Sequence, residues 1–131
     1  VRQELKGGRQ HYLRWSASRT WRDSEAAGLA FDSSAGFAHW VGFRSGTCRE
    51  YKTWCWQDSC PLKLSERPLI VMDGTLIAEK YMNLSSESAI QKLKLLSDRI
   101  KRFHGNFVVL WHNDSLLDLK YLYENALREL V

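Results

Sequence analysis

Two apolar runs of strand length punctuate the chain, Pro68-Leu69-Ile70-Val71-Met72-Asp73 and Phe107-Val108-Val109-Leu110-Trp111. Runs of about four to eight apolar residues, rich in β-branched and aromatic types, read as buried strands. The first ends in the carboxylate of Asp73. The second is entered through Gly105 and ends in His112 and Asn113. Between them Ile90, Leu93, Leu96, Ile100 and Phe103 recur at spacings that align side chains on one helix face. Ser85 is the expected cap, Glu87 suits the first turn, and Gly105 ends the helix. Lys92, Lys94, Arg99, Lys101 and Arg102 fall off the stripe and read as a solvated face. A last helix is expected from about Ser115, with Leu116, Leu119, Leu122, Tyr123, Ala126, Leu127 and Leu130 on its stripe.

Earlier in the chain the signals are shorter. Residues 1–8, with Gly7-Gly8, read as a loop. Residues 9–15 alternate polar and apolar, as a short strand or an extended active-site segment would. Ser16 or Ser18 can cap a helix containing Trp21, Glu25 and Ala26, with Gly28 as its stop. Leu29-Ala30-Phe31 begins a strand that leads into Asp32-Ser33-Ser34. Over residues 35–67 periodicity fades among Gly36, Gly42, Gly46 and Pro61, and only 51–56 reads as a short strand. Such a long irregular region is uncommon unless it is functional.

Strands alternating with helices predict an α/β fold with parallel strands, in a single domain over 1–131. The βα units are too few to close a barrel. The chain begins at Val1 and reads as the carboxyl-terminal part of a larger protein.

Composition narrows the classes. Hydrophobic residues make up 44% and charged residues 26%, which is globular rather than disordered. Nineteen basic residues against fifteen acidic give +4, but the signs are interspersed, which argues against nucleic acid. No apolar run approaches the roughly eighteen residues of a membrane span. Cys48, Cys55 and Cys60 match no common zinc spacing, so reduced thiols and a cytoplasmic setting are favoured. Six Trp, five Tyr and five Phe are a heavy aromatic load. They fill a core, or some line a sugar-binding cleft, for which Trp15, Trp40, Trp54, Trp56 and Trp111 are available.

In parallel sheets function gathers at the carboxyl ends of strands. Arg9, His11, Asp32, Asp73 and His112 stand at or near such ends. Asp32 and Asp73-Gly74 also fit ordinary turns, His11 a satisfied ring, and Arg9 a surface charge. His112 follows five apolar residues, a setting that neither solubility nor packing explains. A histidine tuned by a carboxylate is a general acid, and an arginine can orient a second carboxylate. Those are parts of a hydrolytic site, yet HExxH, zinc-type Cys/His spacing and a GxSxG elbow are all missing from the sequence.

In order, the chain contains Gly8-Arg9-Gln10-His11-Tyr12-Leu13-Arg14, Thr20-Trp21, Ala27-Gly28-Leu29-Ala30-Phe31-Asp32-Ser33-Ser34, Gly42-Phe43-Arg44-Ser45-Gly46-Thr47, Met72-Asp73-Gly74-Thr75-Leu76 and Val109-Leu110-Trp111-His112-Asn113. This set resembles the carboxyl-terminal half of the polysaccharide deacetylase superfamily of carbohydrate esterases, nearest a divergent bacterial branch. The resemblance implies part of a distorted (β/α) barrel and metal-dependent removal of acetyl groups from sugars. It gives Arg9 the role of orienting the catalytic base, Asp32 that of tuning the catalytic histidine, and His112 that of protonating the leaving group. Leu110 would line the acetyl pocket, with Trp111, His11, Arg44 and Asp73 also on the substrate side. The partner implied is an acetylated sugar or polysaccharide. The base aspartate and the ligands of a zinc-like divalent metal would lie upstream, since no Asp-Asp precedes Arg9 and the four histidines show no HxxxH. The chain by itself is therefore expected to hold no cofactor. Gln10-His11-Tyr12 also stands where Arg-x-Pro-Tyr is usual. A glycan-binding module without catalysis is the alternative expectation.

Overall fold

The computed structural model describes residues 6–114 and 120–130 as an α/β arrangement with two sheets. In the first sheet β1 (Gly7–Gly8), β2 (Phe31–Asp32), β3 (Tyr51–Cys55) and β4 (Cys60–Glu66) lie in the order β1-β2-β4-β3. β1, β2 and β4 are parallel, while β3 runs antiparallel to β4 along the edge. The second sheet pairs β5 (Val71–Met72) with β6 (Val109–Leu110), parallel, in register Val71 to Val109 and Met72 to Leu110. The strands are thus mixed rather than all parallel, and no closed barrel is seen among the described residues.

The helices are α1 (Thr20–Ala26), α2 (Asp73–Ile77), α3 (Ser86–Arg102) and α4 (Lys120–Leu130). α3 follows its sequence signals: Ser85 Oγ accepts from Ser88 N at 3.3 Å, and Ala89, Leu93, Leu96 and Ile100 are buried. Phe103 departs from the stripe and is 61% exposed. Gly105 is needed for a reason the helix pattern did not contain. The left-handed residue is His104 at φ 50°, whereas a Cβ on Gly105 would meet Cys48 Sγ at 2.1 Å. The expected helix start at 115, the stripe positions Leu116 and Leu119, and the loop at 1–5 lie outside the described residues.

Two cores result. Ile70, Val71, Leu76, Leu93, Leu96, Ile100, Leu122 and Ala126 join the second sheet to α2, α3 and α4. Trp21, Cys55, Leu62 and Leu64 join α1 to the β3–β4 hairpin. Burying an aliphatic side chain as fully as Leu64 or Leu93 contributes about 1.5–3 kcal/mol.

Four local expectations are corrected. Residues 7 and 8 form a strand rather than a loop. Gly7 lies under the Phe31 ring, where a Cβ would come within 2.2 Å, so the absence of a side chain is what allows β1 to pair with β2. Residues 11–13 form a tight turn rather than a strand, because Tyr12 and Leu13 take left-handed φ of 57° and 51°, outside the extended region. The second half of the irregular region is a hairpin whose strand β4 is central to its sheet. Leu62, Leu64 and Glu66 alternate inward on it, a pattern that Pro61, Lys63 and a buried acid conceal. The α1 cap is Arg19 rather than a serine, with no side-chain cap bond.

Candidate functional site

β5 and β6 run side by side, so the residues that follow them emerge together. Asp73, directly after β5, opens α2 and is fully buried; His112 lies two residues past the β6 end and its side chain is 47% exposed. Asp73 Oδ1 lies 2.6 Å from His112 Nδ1, and Asp73 Oδ2 accepts from the His112 backbone N at 2.9 Å. Gly74 N also donates to Oδ1 at 2.7 Å. The carboxylate is therefore held by backbone donors from both strand ends and grips the imidazole through Nδ1. In the neutral ring that contact favours the proton on Nδ1 and leaves Nε2 as the nitrogen for chemistry.

This differs from the pairing expected for Asp32. Asp32 belongs to the other sheet and is fully buried there. Its Oδ1 accepts from Ser34 Oγ at 2.9 Å and its Oδ2 from Ser34 N at 3.1 Å. Across the β2–β4 pair it stands in register with Glu66. Glu66 accepts from Trp21 Nε1 at 2.8 Å and from Ala35 N at 3.0 Å. Burial, reinforced by Asp32, pushes the Glu66 carboxyl up to about 8. Arg9 sits on the same side, donating from Nε to Ser33 O and from Nη2 to Ser33 Oγ, both at 2.9 Å. Its burial lowers the guanidinium pKa from the ordinary value, against the opposing pull of Asp32 and Glu66. Asp32, Glu66 and Arg9 thus form a second polar cluster.

A cleft of about 590 Å³ connects the two regions. It is lined by Arg9, His11, Tyr12 and Leu13 after β1, by Met72, Gly74, Leu110 and His112 at the ends of β5 and β6, and by Lys80 and Tyr81 after α2. Tyr12 is 77% exposed, its ring 4.2 Å from that of His11. Arg9, His11, Leu110 and His112 thereby come together, with Asp73 behind His112.

Asp73, expected on the substrate side, is fully buried and like Asp32 does not line the cleft, and two more expected residues are elsewhere. Trp111 points away from Leu110 and His112, as strand alternation requires. Its ring lies 5.2 Å from that of Tyr123, in a small cavity with Leu93, Val109 and Ala126, and it does not line the cleft. Arg44 does not line it either: Nη1 donates to Gly36 O at 2.9 Å, and Cζ lies 5.4 Å from the Trp15 ring. The cleft's aromatic walls are Tyr12 and Tyr81, not the tryptophans proposed for stacking. Lys80, Tyr81 and Glu66 were not anticipated. The alternation of Leu62, Leu64 and Glu66 was the one local sign available for Glu66.

Among the described residues, no group of three or more His, Cys, Asp or Glu side chains could hold a metal ion. The chain matches no family model, no curated protein and no solved structure.

Proposed function

We propose that this chain carries the acid side of a carbohydrate-deacetylase-like hydrolytic site, as the carboxyl-terminal part of a distorted (β/α) barrel. The observation that carries this reading is the Asp73–His112 pair, at the ends of adjacent parallel strands, with His112 lining a cleft and Asp73 buried behind it.

In this reading Asp73 holds the ring through Nδ1 and fixes its orientation, so that Nε2 donates the proton. Water adds to the acetyl carbonyl, and His112 protonates the sugar nitrogen as the carbon–nitrogen bond breaks, giving acetate and the free amine. Leu110 offers an apolar surface for the acetyl methyl group. Arg9 also lines the cleft and would orient a base carboxylate supplied from outside the described residues. Any divalent metal that polarises the acetyl carbonyl would have to be held by residues outside those described.

The Tyr12 and Tyr81 rings favour a second reading, a glycan-binding module that uses the same cleft without turnover, since such rings stack on sugar faces. Acetylated chito-oligosaccharide added to the isolated chain tests both. Chemical-shift changes confined to Tyr12, Tyr81, Leu110 and His112, with no acetate released, are expected. The absence of binding at millimolar sugar would overturn both readings. Acetate release, or one equivalent of tightly bound zinc, would overturn the assignment of only the acid side to this chain. In a longer reading frame, an upstream Asp-Asp strand end and an HxxxH would favour the hydrolase over the binding module.

A further inference from the structure

Three free cysteines stand in very different settings: Cys48 and Cys55 are buried, and Cys60 is exposed. In sequence Cys55 and Cys60 are merely neighbours. In the fold they face each other across the last rung of the β3–β4 hairpin, in antiparallel register. The adjacent rung pairs Trp54 with Pro61. Pro61 has no N–H, so that rung is the kind without mutual backbone bonds, and alternation makes the cysteine rung the hydrogen-bonded kind. Opposed residues of that kind have Cα atoms about 5.5 Å apart, within the range a disulfide spans. Their Cβ atoms must approach about 1 Å closer than in an ordinary rung. Residues 56–59, which close the hairpin, are all exposed, and Ser59 takes a left-handed φ of 49°, so the adjustment displaces no core atoms. Cys48 is excluded as a partner, being enclosed in the other core against Gly105.

We propose that Cys55 and Cys60 are a reversible thiol–disulfide site, oxidised by exchange with a small-molecule disulfide of the glutathione class. The exposed Cys60 thiolate attacks the small disulfide, forms a mixed disulfide and expels one small thiolate. Cys55 then attacks Cys60 Sγ, the protein disulfide forms, and the second small thiolate leaves. The small disulfide is reduced by two electrons, and the two cysteines together lose two protons and two electrons. Cys55 Sγ–H donates to Asp58 Oδ2 at 3.1 Å, so that carboxylate is placed to receive the second proton. The ring closed is short, so the bond restrains the unfolded chain less than a long-range disulfide would. Its effect is local, locking the turn end of the hairpin whose other end carries Glu66.

The test equilibrates the folded chain with oxidised and reduced glutathione, traps free thiols by alkylation, and maps tryptic peptides without reduction. Cleavage after Lys52 and Lys63 leaves both cysteines in one peptide. That peptide is expected unalkylated and two hydrogens lighter than its reduced form, with Cys48 alkylated after unfolding. Cys55→Ser should instead accumulate glutathione on Cys60, and Cys60→Ser should react slowly. In urea the equilibrium constant for closing the bond should fall severalfold, because the register is lost. Two alkyl groups on the wild-type peptide, a disulfide that includes Cys48, or an equilibrium constant unchanged by urea would each overturn the proposal.

Discussion

Asp73 ties its own burial to the orientation of His112. It is fully buried, accepts from the backbone nitrogens of Gly74 and His112, and holds the His112 ring. Asp73→Asn supplies one acceptor oxygen where two are needed and presents an amide to Nδ1. A buried donor left unsatisfied costs about 1–3 kcal/mol, and a loss of that order is expected in urea unfolding. The Nδ1–H signal of His112 should disappear from nitrogen-edited spectra; its persistence would count against Asp73 as the group that sets the tautomer.

Glu66 makes a separate, pH-dependent prediction. Its carboxyl is pushed up to about 8 in the folded chain, above the ordinary 4.5, so folding favours its protonated form. Its stabilising contribution is full below about pH 4.5 and is lost as pH rises through about 8. Glu66→Gln cannot ionise, so relative to wild type its unfolding midpoint should improve steadily from about pH 5 to about pH 9. A difference between the two proteins that does not vary with pH would show that Glu66 does not titrate in this range.

At the scale of elements, α3 was legible because its determinants are local. The Ser85 cap and the stripe through Leu93, Leu96 and Ile100 lie within one stretch of chain, and the structure keeps them. Gly105 was legible as a stop, but its reason was not. The Cys48 side chain, far away in sequence, occupies the space that a Cβ would need. Gly105→Ala is therefore expected to destabilise by about 1–3 kcal/mol through overpacking, measured by denaturant unfolding. If the cause were only a helix-ending conformation, the substitution would be nearly neutral, since the left-handed residue here is His104. The β3–β4 hairpin was hidden for the opposite reason. Pro61, Lys63 and Glu66 break the apolar pattern locally, and only pairing with β2 and β3 makes β4 a central strand.

At the scale of the molecule, the cleft joins the segment after β1 to the ends of β5 and β6. A ligand bound there touches the second sheet and the segment that follows β1. Saturating acetylated chito-oligosaccharide should therefore slow amide hydrogen exchange over residues 9–13 and 110–112 together, by mass action on their opening. Protection of one segment alone would mean that the cleft does not act as a unit.

The sequence by itself determined the apolar runs that supply β5 and β6, although Val109 and Leu110 are only half-buried, together with the α3 stripe and the polar residues waiting at strand ends. Each of these is a pattern of neighbouring residues, which periodicity and capping express directly. Tertiary structure decided which carboxylate meets His112. Asp73 and Asp32 both follow short apolar segments, and nothing local separates them. What separates them is sheet membership: β5 pairs with β6, whereas β2 lies between β1 and β4. Tertiary structure also turned Trp111 into the helical core and brought Lys80 and Tyr81 to the cleft. Strand order and register are settled by how whole faces pack, over separations at which no sequence period survives.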